Sequence, residues 1–195
     1  MKKIMFNDKY GLTEAVLAGR KTMTRRIIPL CENDLNFLKV TDRGEWLFSS
    51  RTCTCLDGAF PAYKIGEEVA IAQSYESIAN ADPDNDYGNY YIKQFRYTKA
   101  WTNKMFVHAD FMPHRIRITN IKVERLQDIS EEDCIREGIM KIDCVAPYGF
   151  PVGNGKWKNY RTPQDAFACL IDKVSGKGTY ERNPWVFAYE FELIK

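Results

Sequence analysis

The sequence predicts an α+β domain built on a curved or closed sheet, and three observations point there. Several strand-like segments are separated by short helices, and the regular strand-helix alternation of a doubly wound fold is missing. The last strand, within NPWVFAYEFELI, alternates Trp185, Phe187, Tyr189, Phe191 and Leu193, rings large enough to fill one side of a small barrel.

The elements follow in chain order. Ile4 to Phe6 is a short apolar strand. LTEAVLAG then reads as a brief helix with Leu12, Val16 and Leu17 facing inward and Gly19 as its left-handed cap. In KIGEEVAIAQSY a turn glycine precedes alternation of Val69, Ile71, Gln73 and Tyr75, the period of a half-buried strand. RIRITNIKVERL repeats that pattern, but its apolar phase slips around Thr119 and Asn120, which predicts a bulge or bend. SEEDCIREG carries a capping arrangement of Ser130 with Asp133, acids in its first turn and Gly138 as its stop. TPQDAFACLIDKVSG has Thr162 as N-cap, Pro163 in the first turn and Gly176 at the end. Segments near 31–60, 77–110 and 140–161 are rich in turn residues and read as insertions in one domain spanning 1–195, since none has the composition of an interdomain linker.

Bulk composition narrows the function classes. The chain has 195 residues, 45% hydrophobic and 13% aromatic, the make-up of one globular domain. Lysine plus arginine number 28 against 26 acids, so no global basic field announces nucleic acid, and such binding must come from a local patch. MKKIMFNDKYG lacks an apolar run long enough for a signal peptide, and no segment approaches the ~20 apolar residues of a membrane span, so the expected location is the cytoplasm with no membrane partner. Cys31, Cys53, Cys55, Cys134, Cys144 and Cys169 are scattered, which favours free thiols over a disulfide framework.

Most motifs take a plain reading. CTC at Cys53 to Cys55 has one intervening residue and no matching second pair, and the two histidines are His108 and His114, so no metal is expected. ADPDNDYG places Asp82, Asp84 and Asp86 like the start of a calcium loop, but Tyr87 stands where glycine is needed and Lys93 where glutamate is needed. No phosphate-binding glycine loop or cofactor fingerprint occurs, and no cofactor is expected. Trp101, Trp157 and Trp185 could stack on bases, although the strand period gives Trp185 a packing role.

GRKTMTRR, Gly19 to Arg26, concentrates Arg20, Lys21, Arg25 and Arg26 behind the first helix with no acid among them. One reading is an exposed basic strand. In the other, guanidinium forks and the hydroxyls of Thr22 and Thr24 hold phosphate oxygens, and Lys21 is a base beside the nucleophile Thr24. A regular strand points Lys21 and Thr24 to opposite faces, so a shared site requires a turn or bulge between them.

GRKTMTRR after a short helix, KIGEEVAIAQSY, RLQDISEEDCIREGI and the final helix with NPWVFAYEFELI together resemble the ASCH family, and most closely the longer ASCH proteins of bacteria and their phages. The resemblance implies a PUA-like β-barrel with short flanking helices. It also implies a cleft beside the segment after the first helix, serving RNA or nucleotide binding through Arg20, Thr22, Arg25 and Arg26. One shorter branch of the family is an amidohydrolase that removes acetyl from acetylcytidine. Its lysine, threonine and glutamate match Lys21, Thr24 and Glu137 here, although this chain is longer and carries Arg25 and Arg26 after the threonine. The expectation is an RNA or nucleotide ligand; the alternatives are hydrolysis of an acylated nucleoside through Lys21, Thr24 and Glu137, and a protein-interaction module of phage origin.

Overall fold

The computed structural model describes residues 1–30, 35–50, 56–81 and 91–194, Ser50 by its backbone. Its largest sheet has five strands in the order β1 (Lys3–Ile4), β6 (Glu68–Ile71), β7 (Arg115–Arg125), β11 (Trp185–Ile194) and β2 (Met23–Ile27). β1 pairs parallel to β6 and the other neighbours are antiparallel. The aromatic C-terminal strand thus lies between β7 and β2, and Val186, Ala188 and Tyr189 are fully buried. The chain is therefore α+β, with β1 and β2 as the two edges of this sheet.

The phase slip in RIRITNIKVERL is a bulge. Glu190 of β11 pairs with Asn120 and the next residue, Phe191, pairs with Ile118, leaving Thr119 as the extra residue of β7. The insertion keeps the apolar residues on both sides of it facing the same core, Ile116 and Ile118 before and Ile121 and Val123 after.

The helix signals hold at both ends. α1 (Leu12–Leu17) is followed by Gly19 at φ 71°, and the N–H groups of Arg20 and Lys21 both return to the Ala15 carbonyl at 2.8 and 2.9 Å. α3 (Glu131–Arg136) begins with the Ser130 hydroxyl accepting from the Asp133 N–H, and α4 (Pro163–Ser175) with Thr162 accepting from Asp165.

Two readings change. The strand of KIGEEVAIAQSY stops at Ile71, and Tyr75 opens the helix α2 (Tyr75–Ala81) instead of continuing an alternating strand. Val69, Ala70 and Ile71 are all buried, because Val69 and Ile71 face the main core while Ala70 and Ala72 pack with Tyr75, Ile78, Val107 and Met112 in a second cluster. A strand covered on both faces loses the polar half of its period. The second change concerns the segments that read as insertions. β3 (Leu35–Val40), β4 (Trp46–Ser50) and β5 (Leu56–Ala59) form one antiparallel sheet, and β8 (Met140–Lys141), β9 (Tyr148–Gly153) and β10 (Lys156–Tyr160) another. Each sends large side chains into the main core, where Leu35, Phe48 and Phe150 are buried. Trp46 meets Phe187 edge-on and Phe48 meets Trp185, so Trp185 is a packing residue. No helix of the described residues is long and apolar enough to cross a membrane.

Candidate functional site

β2 begins at Met23, and its position at the sheet edge decides where the GRKTMTRR side chains go. Lys21 precedes the strand and is turned by the hydrogen bonds that close α1, so the conflict between Lys21 and Thr24 in a regular strand does not arise. Both residues line one cleft of about 280 Å³, together with Arg25, Arg26 and Glu137, the chain after β1 at Met5 to Asn7, and an apolar wall from α4 that includes Phe167, Leu170 and Val174. The cleft lies between the two edges of the large sheet. Arg26 spans it, its guanidinium Nη2 donating to the Met5 carbonyl at 2.7 Å.

Lys21 is 2% exposed, and its ammonium donates to the Glu137 carboxylate Oε2 at 2.5 Å and to the Glu137 and Met23 carbonyls at 2.7 Å each. Glu137 reaches it because it occupies the C-cap of α3, where the helix ends at Gly138 and offers both side chain and carbonyl. Burial lowers the Lys21 pKa below the ordinary lysine value; Glu137 opposes that shift, and the nearby Arg26 and Arg25 charges add to it. Thr24 is buried within β2 opposite Tyr189, and its hydroxyl has no hydrogen-bond partner among the described residues.

Arg25 is occupied differently. Its guanidinium is 1% exposed and contacts Glu124 at 2.5 Å, Asp133 at 2.8 Å and Glu137 at 3.2 Å. Lys122 and Arg136 extend the cluster to Glu124, Asp133 and Glu190. Burial alone would raise the Asp133 pKa, but hydrogen bonds from Lys122 and Arg25 hold it below the usual carboxylate range. The Arg136 hydrogen bond does the same to Glu190. A saturated guanidinium of this kind has no donor to spare for a phosphate.

The remaining sequence candidates lie apart from this centre. Arg20 is exposed and pairs at 3.4 Å with Glu14, away from the cleft lining. Thr22 accepts from Arg136 Nε at 3.3 Å and hydrogen-bonds through its N–H to the Arg136 carbonyl, fastening the start of β2 to α3. The four cations of GRKTMTRR therefore do not form one surface patch. Cys53, Cys55, Asp82, Asp84 and Asp86 lie outside the described residues. Among the described residues no group of three or more His, Cys, Asp or Glu side chains is arranged to hold a metal ion. Cys134, Cys144 and Cys169 are free thiols, and burial pushes the Cys134 thiol up to about 12, which leaves it protonated at neutral pH.

Sequence reasoning missed the counter-charges Glu124, Asp133 and Glu190 and the apolar α4 wall. Glu124 showed only as a charge on β7, Asp133 as a first-turn acid of α3, Glu190 as a charge within the aromatic β11, and the wall as an apolar stripe on α4, none of which names a partner. No family model, curated protein or solved structure matches the chain.

Proposed function

We propose that the protein is an amidohydrolase for a small acylated nucleoside-type substrate, with Thr24 as nucleophile, Lys21 as base and Glu137 as the group that orients Lys21 and exchanges its proton. The observation that carries this reading is the Lys21–Glu137 contact at 2.5 Å in the cleft that Thr24 also lines, between residues 116 apart in sequence. A basic binding patch makes no such demand. The resemblance of GRKTMTRR and its neighbouring segments to the ASCH family supplies the substrate class, and the PUA-like barrel belongs to the same reading, with the sheet edges at β1 and β2 flanking the cleft.

The chemistry follows from the burial. Lys21 leaves a proton on Glu137 and presents a neutral amine toward Thr24; the hydroxyl attacks the acyl carbonyl as its proton passes to Lys21, and the leaving amine takes that proton. Water then hydrolyses the acyl ester on Thr24, so that amide and water give carboxylic acid and amine. A cleft of about 280 Å³ lies just below the roughly 300–1,000 Å³ of small-molecule sites, whereas strand-binding grooves track about 4–16 nucleotides. The size and the internal pairing of Lys21 and Arg25 favour a nucleoside-sized ligand over an RNA backbone.

The test is direct. Purified protein incubated with acetylcytidine should release cytidine and acetate, and Lys21→Ala or Thr24→Ala should abolish the release while circular dichroism shows the fold retained. No turnover by the wild type across a panel of acylated nucleosides would remove the hydrolase reading.

A further inference from the structure

We propose that the protein has a second binding site, apart from the cleft, which takes a small aromatic acid: a planar ring held among side-chain rings, with its carboxylate on the ammonium of Lys99. The site is a pocket of about 490 Å³ bounded by Tyr75, Phe95, Phe106 and Phe111, with Lys99 and His108 among its polar residues. It shares no lining residue with the cleft at Lys21. Its volume falls within the roughly 300–1,000 Å³ of small-molecule sites.

The walls are fixed by the fold. Tyr75 opens α2 and is buried in the second core cluster, and Phe95 stacks on it with 4.6 Å between centroids and 17° between planes. Phe111 stands across that pair, at 67° to Tyr75 and 53° to Phe95. The Lys3 ammonium donates to the carbonyls of Lys104, Met105 and Val107 and so pins the turn that carries Phe106. Despite this support, Phe106 and Phe111 remain 54% and 52% exposed. Rings half in water around a concave space gain by burial against a further ring, and tilted rings offer it both a face and edges.

The charges decide what that ring carries. The Lys99 ammonium lies 5.8 Å from the Phe106 centroid, in the place over an aromatic face that a cationic ligand would need. Lys93 and Arg96 belong to the same stretch, YIKQFRYTK, and none of its three cations pairs with a carboxylate of the described residues. His108 differs, since its Nδ1 faces Asp110 at 3.2 Å and any charge it gains is answered within the fold. The stretch is therefore positive without internal compensation, and the ligand it complements is an anion. Lys99 is the one of the three cations that lines the pocket, which makes it the partner of the carboxylate. Because Lys99 is exposed, its ion pair contributes modestly and the rings supply most of the affinity.

The test is a calorimetric titration of the full chain with naphthalene-2-carboxylate, its neutral carboxamide and the ring-saturated decalin-2-carboxylate, on the wild type, Phe111→Ala and Lys99→Gln. The wild type should bind the aromatic acid about tenfold more tightly than the saturated acid, the size of a favourable aromatic pair. It should prefer the aromatic acid to its carboxamide about fivefold, the size of a good exposed ion pair. Phe111→Ala should weaken the aromatic acid about tenfold, and Lys99→Gln should bring acid and carboxamide to parity. No saturable binding of the acid by the wild type, or equal binding of the saturated acid, overturns the proposal. A preference for the acid that survives Lys99→Gln does the same. The cleft at Lys21 also has cations and an apolar wall, so an affinity unchanged by Phe111→Ala places the acid elsewhere and removes this site. If Phe111→Ala fails to fold, Phe106→Ala, at the other exposed ring of the pocket, carries the test on the same terms. A uridine oligonucleotide that displaces the acid and binds more tightly would make the rings a base-stacking platform and overturn the small aromatic ligand.

Discussion

The two faces of the large sheet are built from opposite chemistry within the same strands. On one face Arg25 of β2, Ala188 and Glu190 of β11, and Lys122 and Glu124 of β7 lie beneath α3, and their charges are matched by Asp133, Arg136 and Glu137. On the other face Phe187, Tyr189 and Phe191 pack with Phe6, Trp46 and Tyr63. Hydrophobic burial is non-directional, so the aromatic face tolerates any arrangement that fills its volume. The charged face is stable only as a closed set. Removing one member leaves another buried charge without its partner, and the position of Lys21 at the cleft is a consequence of that closure.

The largest expected effect breaks the closed set at its link to the cleft. Glu137→Ala leaves the Lys21 ammonium with two carbonyls and no carboxylate, and takes one anion from Arg25. Breaking a buried pair from one side costs about 3–5 kcal/mol, which urea denaturation at neutral pH will read. An effect below about 1 kcal/mol would mean that Lys21, whose pKa burial already lowers, sheds its proton in the variant and does not remain as a buried unpaired charge.

The next prediction separates the faces by pH. Asp133 and Glu190 have folded-state pKa values below their ordinary ones, so the stability they contribute is present above the ordinary carboxylate range and is lost as pH falls through the folded values. The wild type should lose stability progressively below about pH 4. Asp133→Asn should cost about 2 kcal/mol at neutral pH and flatten that acid limb. Phe187→Ala, whose cost is a cavity of about 3 kcal/mol, should lower the whole profile without changing the shape of the limb. Parallel acid limbs for Asp133→Asn and the wild type would remove Asp133 from the account.

The same contrast explains what could be read in the sequence. The aromatic face was legible because its signal is local: alternation in NPWVFAYEFELI and a phase slip at Thr119 are visible within a dozen residues. Gly19, Ser130 and Thr162 were legible because caps are local too. The charged face was not, since Arg25 finds Glu124, Asp133 and Glu137 at sequence separations of 99, 108 and 112. A run of cations with no acid nearby looks like a surface patch until the fold supplies the acids. Lys21 and Thr24 were read as a pair within GRKTMTRR, Glu137 came from the family likeness alone, and the structure brings all three to one cleft.

The smallest expected stability effect falls at the residue with the greatest expected effect on turnover. Thr24 belongs to the aromatic face by strand register, pairing with Tyr189, yet it is a hydroxyl without a hydrogen-bond partner among the described residues. Thr24→Val replaces that hydroxyl with a methyl of similar size and keeps the β-branch that suits an edge strand. Because no internal hydrogen bond is broken, the change should alter stability by less than about 1 kcal/mol in either direction. A hydroxyl that served the fold would show a larger loss, with Phe187→Ala as the scale for this face. Under the proposed chemistry the same variant has no nucleophile and should release no acetate from acetylcytidine, while cytidine binding stays within a few-fold of the wild type. Retained turnover in a stably folded Thr24→Val protein would take Thr24 out of the mechanism and leave the cleft as a binding site.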